Sequence, residues 1–350
     1  MPMTEYEIYS YEAFKRKIQD EIRPVPAGIG ASLSKTDLNL YFAEIRKEKP
    51  NLAALTDGQI LQLGGFEVEG KPTLASLMLF GMYPQGNFPQ LCITAVVVPG
   101  YEMGDIGDED ARFLDNKKIE GTIPQMLDGA MSFVQRNMRV KTILNANGKR
   151  EDKAEYPMKA VREILLNALI HRDYSMHTEN SPIRIMLFTD RLEVENPGGL
   201  YGRLTLDNLG KVGADTRNPY IASALEIMID TENRFSGIPT IRHETKKANL
   251  PDPVFTSSRG VFKVILHNSS RNEEPDRKIE EIEEMKEMDL EDRIIAFCRT
   301  PKSREELAGE LGFSAISYMM SKYVNPLLAA DKLKTTIPDK PKSKNQRYFA

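Results

Sequence analysis

The sequence predicts an α+β protein in which helices cover one face of a largely antiparallel sheet, followed by a separate, smaller helical body at the C-terminus. Three observations predict it. Two strand-like runs, IRIMLF and RLEVEN, meet at the turn pair Thr189 and Asp190 and read as a hairpin. Ile123 to Asn137 and Pro157 to Ile170 carry apolar residues at helical spacing just before that hairpin. Residues 271–289 then break the pattern with nine acidic and four basic side chains and few apolar ones, the composition of a linker or a solvated helix.

Composition bounds the rest. A chain of 350 residues allows two or three domains at roughly 100–200 residues each. Its 41% hydrophobic and 28% charged content is that of an ordinary globular protein. The sequence has no apolar run near the roughly 18 residues of a membrane span and no basic-then-apolar N-terminal signal pattern, so the expected location is the cytoplasm, away from membranes. Cys92 and Cys298 are far apart and lack partners at metal spacing, which argues against a disulfide framework or a zinc site. With a formal net charge of -4, any affinity for nucleic acid has to come from a local basic patch.

In chain order, residues 1–35 read as a strand or short helix running into the Pro/Gly/Ser stretch PAGIGAS, the tail or linker of something else. A helix is expected after Ser34, with Leu38, Tyr41, Phe42 and Ile45 on its apolar side, and another after Thr56. PTLASLMLF and LCITAVVV are apolar runs, the second strand-like through its β-branched residues. Residues 100–121 are acidic and glycine-bearing and read as a loop. Leu200 to Asn218 has the polar, glycine-containing make-up of a mobile lid, Ile221 to Ile229 is helical, and GVFKVILHN closes the sheet. The domain body is therefore expected over 36–270, the acidic linker over 271–289 and the C-terminal body over 290–350. In the last of these, Leu290 to Cys298, Ser303 to Leu311 and Ser314 to Ala330 read as helices, and Lys332 to Ile337 with Gln346 to Phe349 as two strands.

The stretch MKAVREILLNALIHRDYS carries the most chemistry. Val161, Ile164, Leu165, Ala168 and Leu169 form an apolar stripe, while Glu163, Asn167 and His171 follow one another four residues apart and drift only about 40° per step around the helix. A carboxylate, an amide oxygen and an imidazole thus share one polar edge. Such an edge suits a hydrated Mg²⁺, which keeps several waters beside one or two protein ligands and substrate phosphates; it equally suits the solvated side of a packed helix. The hairpin ends in VENPGGL, where Asn196 precedes Gly198 and Gly199, residues that let backbone approach a ligand or simply make a turn. In RFSGIPTI, Ser236 and Gly237 stand before a helix-like stretch whose free N–H groups suit a phosphate.

Together, PTLASLMLFG, YPMKAVREILLNALIHRDYS, DRLEVENPGGL, LTLDNL, TRNPYIA and SGIPTI resemble the C-terminal-type domain of RecG-helicase-related and Schlafen/AlbA-type bacterial regulators, over roughly residues 35–270. The resemblance implies a fold similar to the GHKL ATPases, with ATP and Mg²⁺ as cofactors. On it, Glu163 and Asn167 take the places of the glutamate and the Mg²⁺-binding asparagine of the N-box, with His171 beside them. Asn196, Gly198 and Gly199 take those of the box that reads adenine, and Ser236 with Gly237 that of the glycine box near the phosphates. Two positions depart from the pattern. Asn196 stands where an aspartate accepts from the adenine amine, giving a weaker, neutral acceptor, and Phe235 stands where a small residue is usual. Both favour sensing or a vestigial pocket over turnover, though Glu163 as general base of an ATPase is the competing enzyme reading. A motor helicase is not expected, because no G-x-x-x-x-G-K-[ST] loop occurs.

The C-terminal stretch resembles the winged helix that ends these regulators. Leu290 to Ala350 carries eleven basic and seven acidic residues, a local reversal of sign that fits a DNA-facing module. Ser314, Ser317, Tyr318 and Lys322 are expected to face out from the third helix, and Lys340, Lys342, Lys344 and Arg347 to decorate the wing. The implied reading is a transcriptional regulator with double-stranded DNA as partner and a nucleotide as effector; a winged helix that makes a homodimer, over a vestigial pocket, is the structural alternative. The resemblance also implies that an AlbA-type domain commonly precedes this region.

Overall fold

Thr4 starts the first helix: its hydroxyl accepts from Glu7 N, and the Glu7 carboxylate accepts from Thr4 N at 2.7 Å, a capping box. In this computed structural model, which describes residues 3–26, 32–107, 110–144, 150–213, 215–229, 237–268, 294–295, 297–311, 316–338, 343 and 346–350, the segment read as a strand or short helix ahead of a linker forms the helix α1 (Glu5–Arg16). It is tied to the body. Glu21, fully buried, accepts from Tyr220 N and Ile221 N at 3.0 and 2.9 Å. The short helix expected in this segment is present, and its ties to the body rest on single side chains such as Glu21 and Tyr6, which no periodicity announces.

The helices α2 (Lys35–Glu48) and α3 (Asp57–Leu63) start at Ser34 and Thr56, whose hydroxyls accept from Asp37 N and Gln59 N. A short β1 (Glu67–Val68) and β2 (Lys71–Pro72) pair leads into α4 (Leu74–Phe80), buried at every residue. An apolar run is helical here because neighbours cover it on all sides. Next come β3 (Ile93–Val97), β4 (Asp115–Ile119), α5 (Ile123–Asn137), the hairpin β5 (Val140–Leu144) and β6 (Arg150–Ala154), then α6 (Met158–His171), β7 (Ile183–Leu187) and β8 (Arg191–Pro197). After them follow α7 (Pro219–Met228), α8 (Gly237–Lys247), β9 (Val254–Ser258) and β10 (Val261–His267).

Six strands form one mixed sheet in the order β4-β3-β7-β8-β10-β9. Only the β3–β7 pair is parallel, bridged by the crossover through α5 and α6; the other neighbours are antiparallel. The strand period of two decides which side chains meet the helices. Ile183, Ile185, Leu187, Leu192, Val194, Val264 and Leu266 are buried on that face, against α5 over β3 and β4 and α6 over β8. The opposite face carries ion pairs across strands, Arg184–Glu195 at 3.7 Å and Lys263 to Glu195 and Glu193 at 2.8 and 2.9 Å. The period puts Asn196 on the helix side, two residues beyond Val194. This is the expected α+β arrangement, with helices on one face of a largely antiparallel sheet.

The chain divides into two compact units, Met1–Arg271 and Asn272–Ala350. In the second, α9 (Arg304–Leu311) and α10 (Ile316–Met319) lead through a π-helical turn at Met320–Val324 into α11 (Asn325–Ala329). Pro326 lacks an N–H for the ladder, so the wider turn falls where a regular bond is already missing. A two-residue hairpin, β11 (Lys334–Thr335) with β12 (Tyr348–Phe349), is extended by the bridge Lys302↔Tyr348. Its own core holds Ile294, Cys298, Leu307, Met319, Leu327, Leu333 and Tyr348. The acidic stretch 271–289 lies outside the described residues. Among the described residues, no helix is long and apolar enough to cross a membrane.

Candidate functional site

Between α6, the sheet and α8 lies an apolar pocket. Its walls follow from two periods. Ile164, Asn167, Ala168 and His171 recur along one side of α6, and Val194, Asn196, Phe262 and Val264 share the helix-facing side of β8 and β10. Gly198, Gly199, Leu200 and Tyr201 form the front, and Ile238 and Ile241 of α8 the back. Residues far apart in sequence, Asn167 and Asn196, thereby face one space.

Inside this apolar slot two polar atoms are left over. The Asn167 Nδ2 and the Asn196 Oδ1 are both shielded from solvent and have no hydrogen-bond partner among the described residues. A buried amide atom without a partner carries a desolvation cost of about 1–3 kcal/mol, so a ligand that satisfies both recovers it. Glu163 stands beside Asn167: a methyl built on Gly237 would lie 2.9 Å from Asn167 Nδ2 and 3.2 Å from Glu163 Oε2. The backbone at the first residue of α8 therefore runs close to the ends of both side chains. Burial pushes the Glu163 carboxyl up, with Arg162 pulling weakly the other way. Burial, aided by Arg217, pushes His171 down to about 4, so at neutral pH it lines the pocket as an uncharged imidazole. Ser236, expected beside Gly237, lies outside the described residues, as does Phe235.

The front wall is set by residues that sequence reasoning passed over. Gly198 has φ +114, and a methyl there would lie 2.9 Å from Asp173 Cβ and 3.0 Å from its amide nitrogen. Asp173, 1% exposed, pairs with Arg217 at 2.5 Å and accepts from the Tyr6 hydroxyl at 2.7 Å. Arg217 also donates to Gly199 O at 3.1 Å and lies over the Tyr201 ring at 4.8 Å. Asn218 donates to the carbonyls of Ile170 and Arg172, both at 2.7 Å. HRDYS, NPGG and TRNP thus converge on one buried network. No periodicity marks the pair in the sequence, since Asp173 and Arg217 are single charges in separate loops.

The segment read as a mobile lid is held at several points. Asp215 takes a two-pronged bond from the Arg203 guanidinium, at 3.0 and 3.1 Å, and a backbone bond from Arg203 N. These bonds hold its carboxyl below the usual range.

In the second unit, Lys322 is exposed, its ammonium 5.2 Å from the Tyr323 ring centre. Arg347 donates to Pro301 O at 3.0 Å and lies 3.7 Å from Glu306, so its guanidinium braces the small sheet as well as facing solvent. Ser317 and Tyr318 fall in α10, while Ser314, Lys340, Lys342 and Lys344 lie outside the described residues.

Residues 180–266 match the family described as "Putative ATP-dependent DNA helicase recG C-terminal", and the chain contains a GHKL-like, ATPase-type domain. That match spans Asn196, Gly198, Gly199 and Gly237 but begins after α6, where Glu163 and Asn167 stand. Residues 283–349 match the family described as "Filamentation induced by cAMP protein Fic-like, C-terminal domain". No curated protein matches the chain. Among solved structures, the DIP2311 protein from Corynebacterium diphtheriae is similar at 19% identity and a TM-score of 0.53, over 94% of this chain and 63% of that one. This chain thus spans less than two thirds of that protein's length, and the likeness is one of fold.

Proposed function

We propose that the pocket between α6 and β8 binds a nucleotide as an effector, and that the C-terminal unit binds double-stranded DNA, so that the chain acts as a nucleotide-responsive transcriptional regulator. One observation carries the first half: two shielded amide atoms, on Asn167 and Asn196, stand without partners in an apolar slot of an ATPase-type fold. Among the described residues, no three His, Cys, Asp or Glu side chains gather into a metal cage. Mg²⁺ fits this site as the companion of a nucleotide, held by Asn167 and by phosphates and waters. The ion would neutralise phosphate charge beside Glu163.

Replacing Asn167 by Ala tests this reading. Its amide nitrogen bonds nothing in the free protein, so stability should change by no more than about 0.5–1 kcal/mol, while affinity for Mg²⁺-ATP should fall about tenfold or more by calorimetry. A large loss of melting temperature with unchanged affinity would make Asn167 a structural residue.

The net positive C-terminal stretch, with its short helices and small hairpin, supports the DNA half. Changing Lys340, Lys342, Lys344 and Arg347 together to Ala should flatten the slope of log affinity against log salt by up to about 3–4 units, with sequence preference retained. Arg347, braced by Pro301 and Glu306, should contribute least. A variant that binds duplex DNA with the parent's affinity and slope would leave dimerisation as the role of this unit.

A further inference from the structure

Asn196 is 4% exposed, projects from β8 toward α6, and lies opposite Phe262 of β10. The slot around it is lined by Ile164, Ala168, Val194, Phe262 and Val264, side chains with flat or branched apolar surfaces that suit a planar ring. Within that slot the Asn196 amide is the buried polar group of the sheet wall. Its Oδ1 has no partner, and no described residue hydrogen-bonds either end of the amide.

We infer that Asn196 makes this pocket tolerant of the purine it takes: a base presenting an exocyclic amine and one presenting an exocyclic carbonyl bind with comparable affinity. The inference rests on the nucleotide reading above and adds which bases the site accepts. A carboxamide presents an acceptor on one side and a donor on the other. The terminal torsion of asparagine is broad and roughly two-fold, and with neither end fastened, a half-turn exchanges Oδ1 for Nδ2 without breaking a bond to the protein. An amine such as that of adenine donates to Oδ1. A carbonyl such as that of hypoxanthine accepts from Nδ2 after the half-turn. A carboxylate at this position has no such choice: ionised, it only accepts, and a ligand carbonyl placed against it meets repulsion and leaves a buried charge unpaired.

The test is competition calorimetry on the intact chain with ATP and ITP, each with Mg²⁺, together with the Asn196→Asp variant. The two nucleotides differ at the exocyclic group and the adjacent ring nitrogen and share ribose and phosphates, so the remaining contacts cancel. The wild-type affinities should agree within about fivefold, and Asn196→Asp should prefer ATP by more than tenfold. A wild-type preference for ATP beyond fivefold overturns the inference while leaving the nucleotide reading intact, as does a variant whose preference equals the parent's. Binding of neither nucleotide overturns the nucleotide reading, and the inference with it. Should the variant fail to fold, the wild-type ratio alone decides.

Discussion

Replacing Arg217 by Ala is expected to lower the unfolding free energy of the first unit by about 3–5 kcal/mol, the usual result of stranding a buried partner charge. Asp173 would keep only the Tyr6 hydroxyl and the Ser175 N–H as donors, and the front wall of the pocket would lose the bond to Gly199 O and the cation over Tyr201. The sign of the pH dependence gives a second check. Burial alone would push the Asp173 carboxyl up, but Arg217, the Tyr6 hydroxyl and Ser175 more than offset it and hold it below 3.8. A lowered carboxyl contributes stability that is present above its unfolded value and lost as pH falls through the folded one. Without Arg217 the burial effect wins, and the sign reverses: the variant's deficit should shrink as pH is lowered toward 4. Urea midpoints followed by circular dichroism at pH 4 and 7 measure both. A cost under about 1 kcal/mol at pH 7 would show that the Asp173–Arg217 pair is not what holds the turn. The double change Asp173→Asn with Arg217→Met should recover much of the loss, because it leaves no charge behind.

The second large effect is expected at Glu21. Its two carboxylate oxygens receive the N–H groups of Tyr220 and Ile221 at the start of α7. Glu21→Ala leaves both donors buried without an acceptor, and the expected loss is about 2–4 kcal/mol. Burial pushes this carboxyl up to about 7, against the pull of the two N–H groups. A raised carboxyl contributes stability that is fully present below the unfolded value of 4.5 and lost as pH rises through the folded one. The wild type should therefore lose stability between pH about 4.5 and 7, and the variant should lack that slope. Thermal melts across this window read it directly; parallel profiles for the two proteins would show that Glu21 does not titrate there.

Both predictions rest on residues whose importance the sequence concealed, and the reason is physical. Periodicity revealed the elements that bury stripes: α5, α6 and the β7–β8 hairpin lie where IPQMLDGAMSFVQRN, MKAVREILLNALIH and IRIML–RLEVENP place them. The amide pair was legible in part, since Asn167 falls on the predicted polar edge of α6, whereas Asn196 was singled out at the end of a strand through the family resemblance, and the structure brings the two to one pocket. Glu21, Asp173 and Arg217 belong to no stripe. Each is a single charge whose partner lies 44 or more residues away, and such pairings emerge only when loops close. Composition likewise gave no hint of the ties of Arg203 to Asp215 and of Arg217 to Gly199 at the two ends of 200–218.

Calorimetric titration of Mg²⁺-ATP and Mg²⁺-ADP into the intact chain decides whether the pocket takes a nucleotide. Saturable one-to-one binding is expected, weakened in Asn167→Ala and without steady release of phosphate. Absence of binding at millimolar nucleotide would contradict the nucleotide reading and leave the Asn167 and Asn196 amides as unfilled relics of the fold.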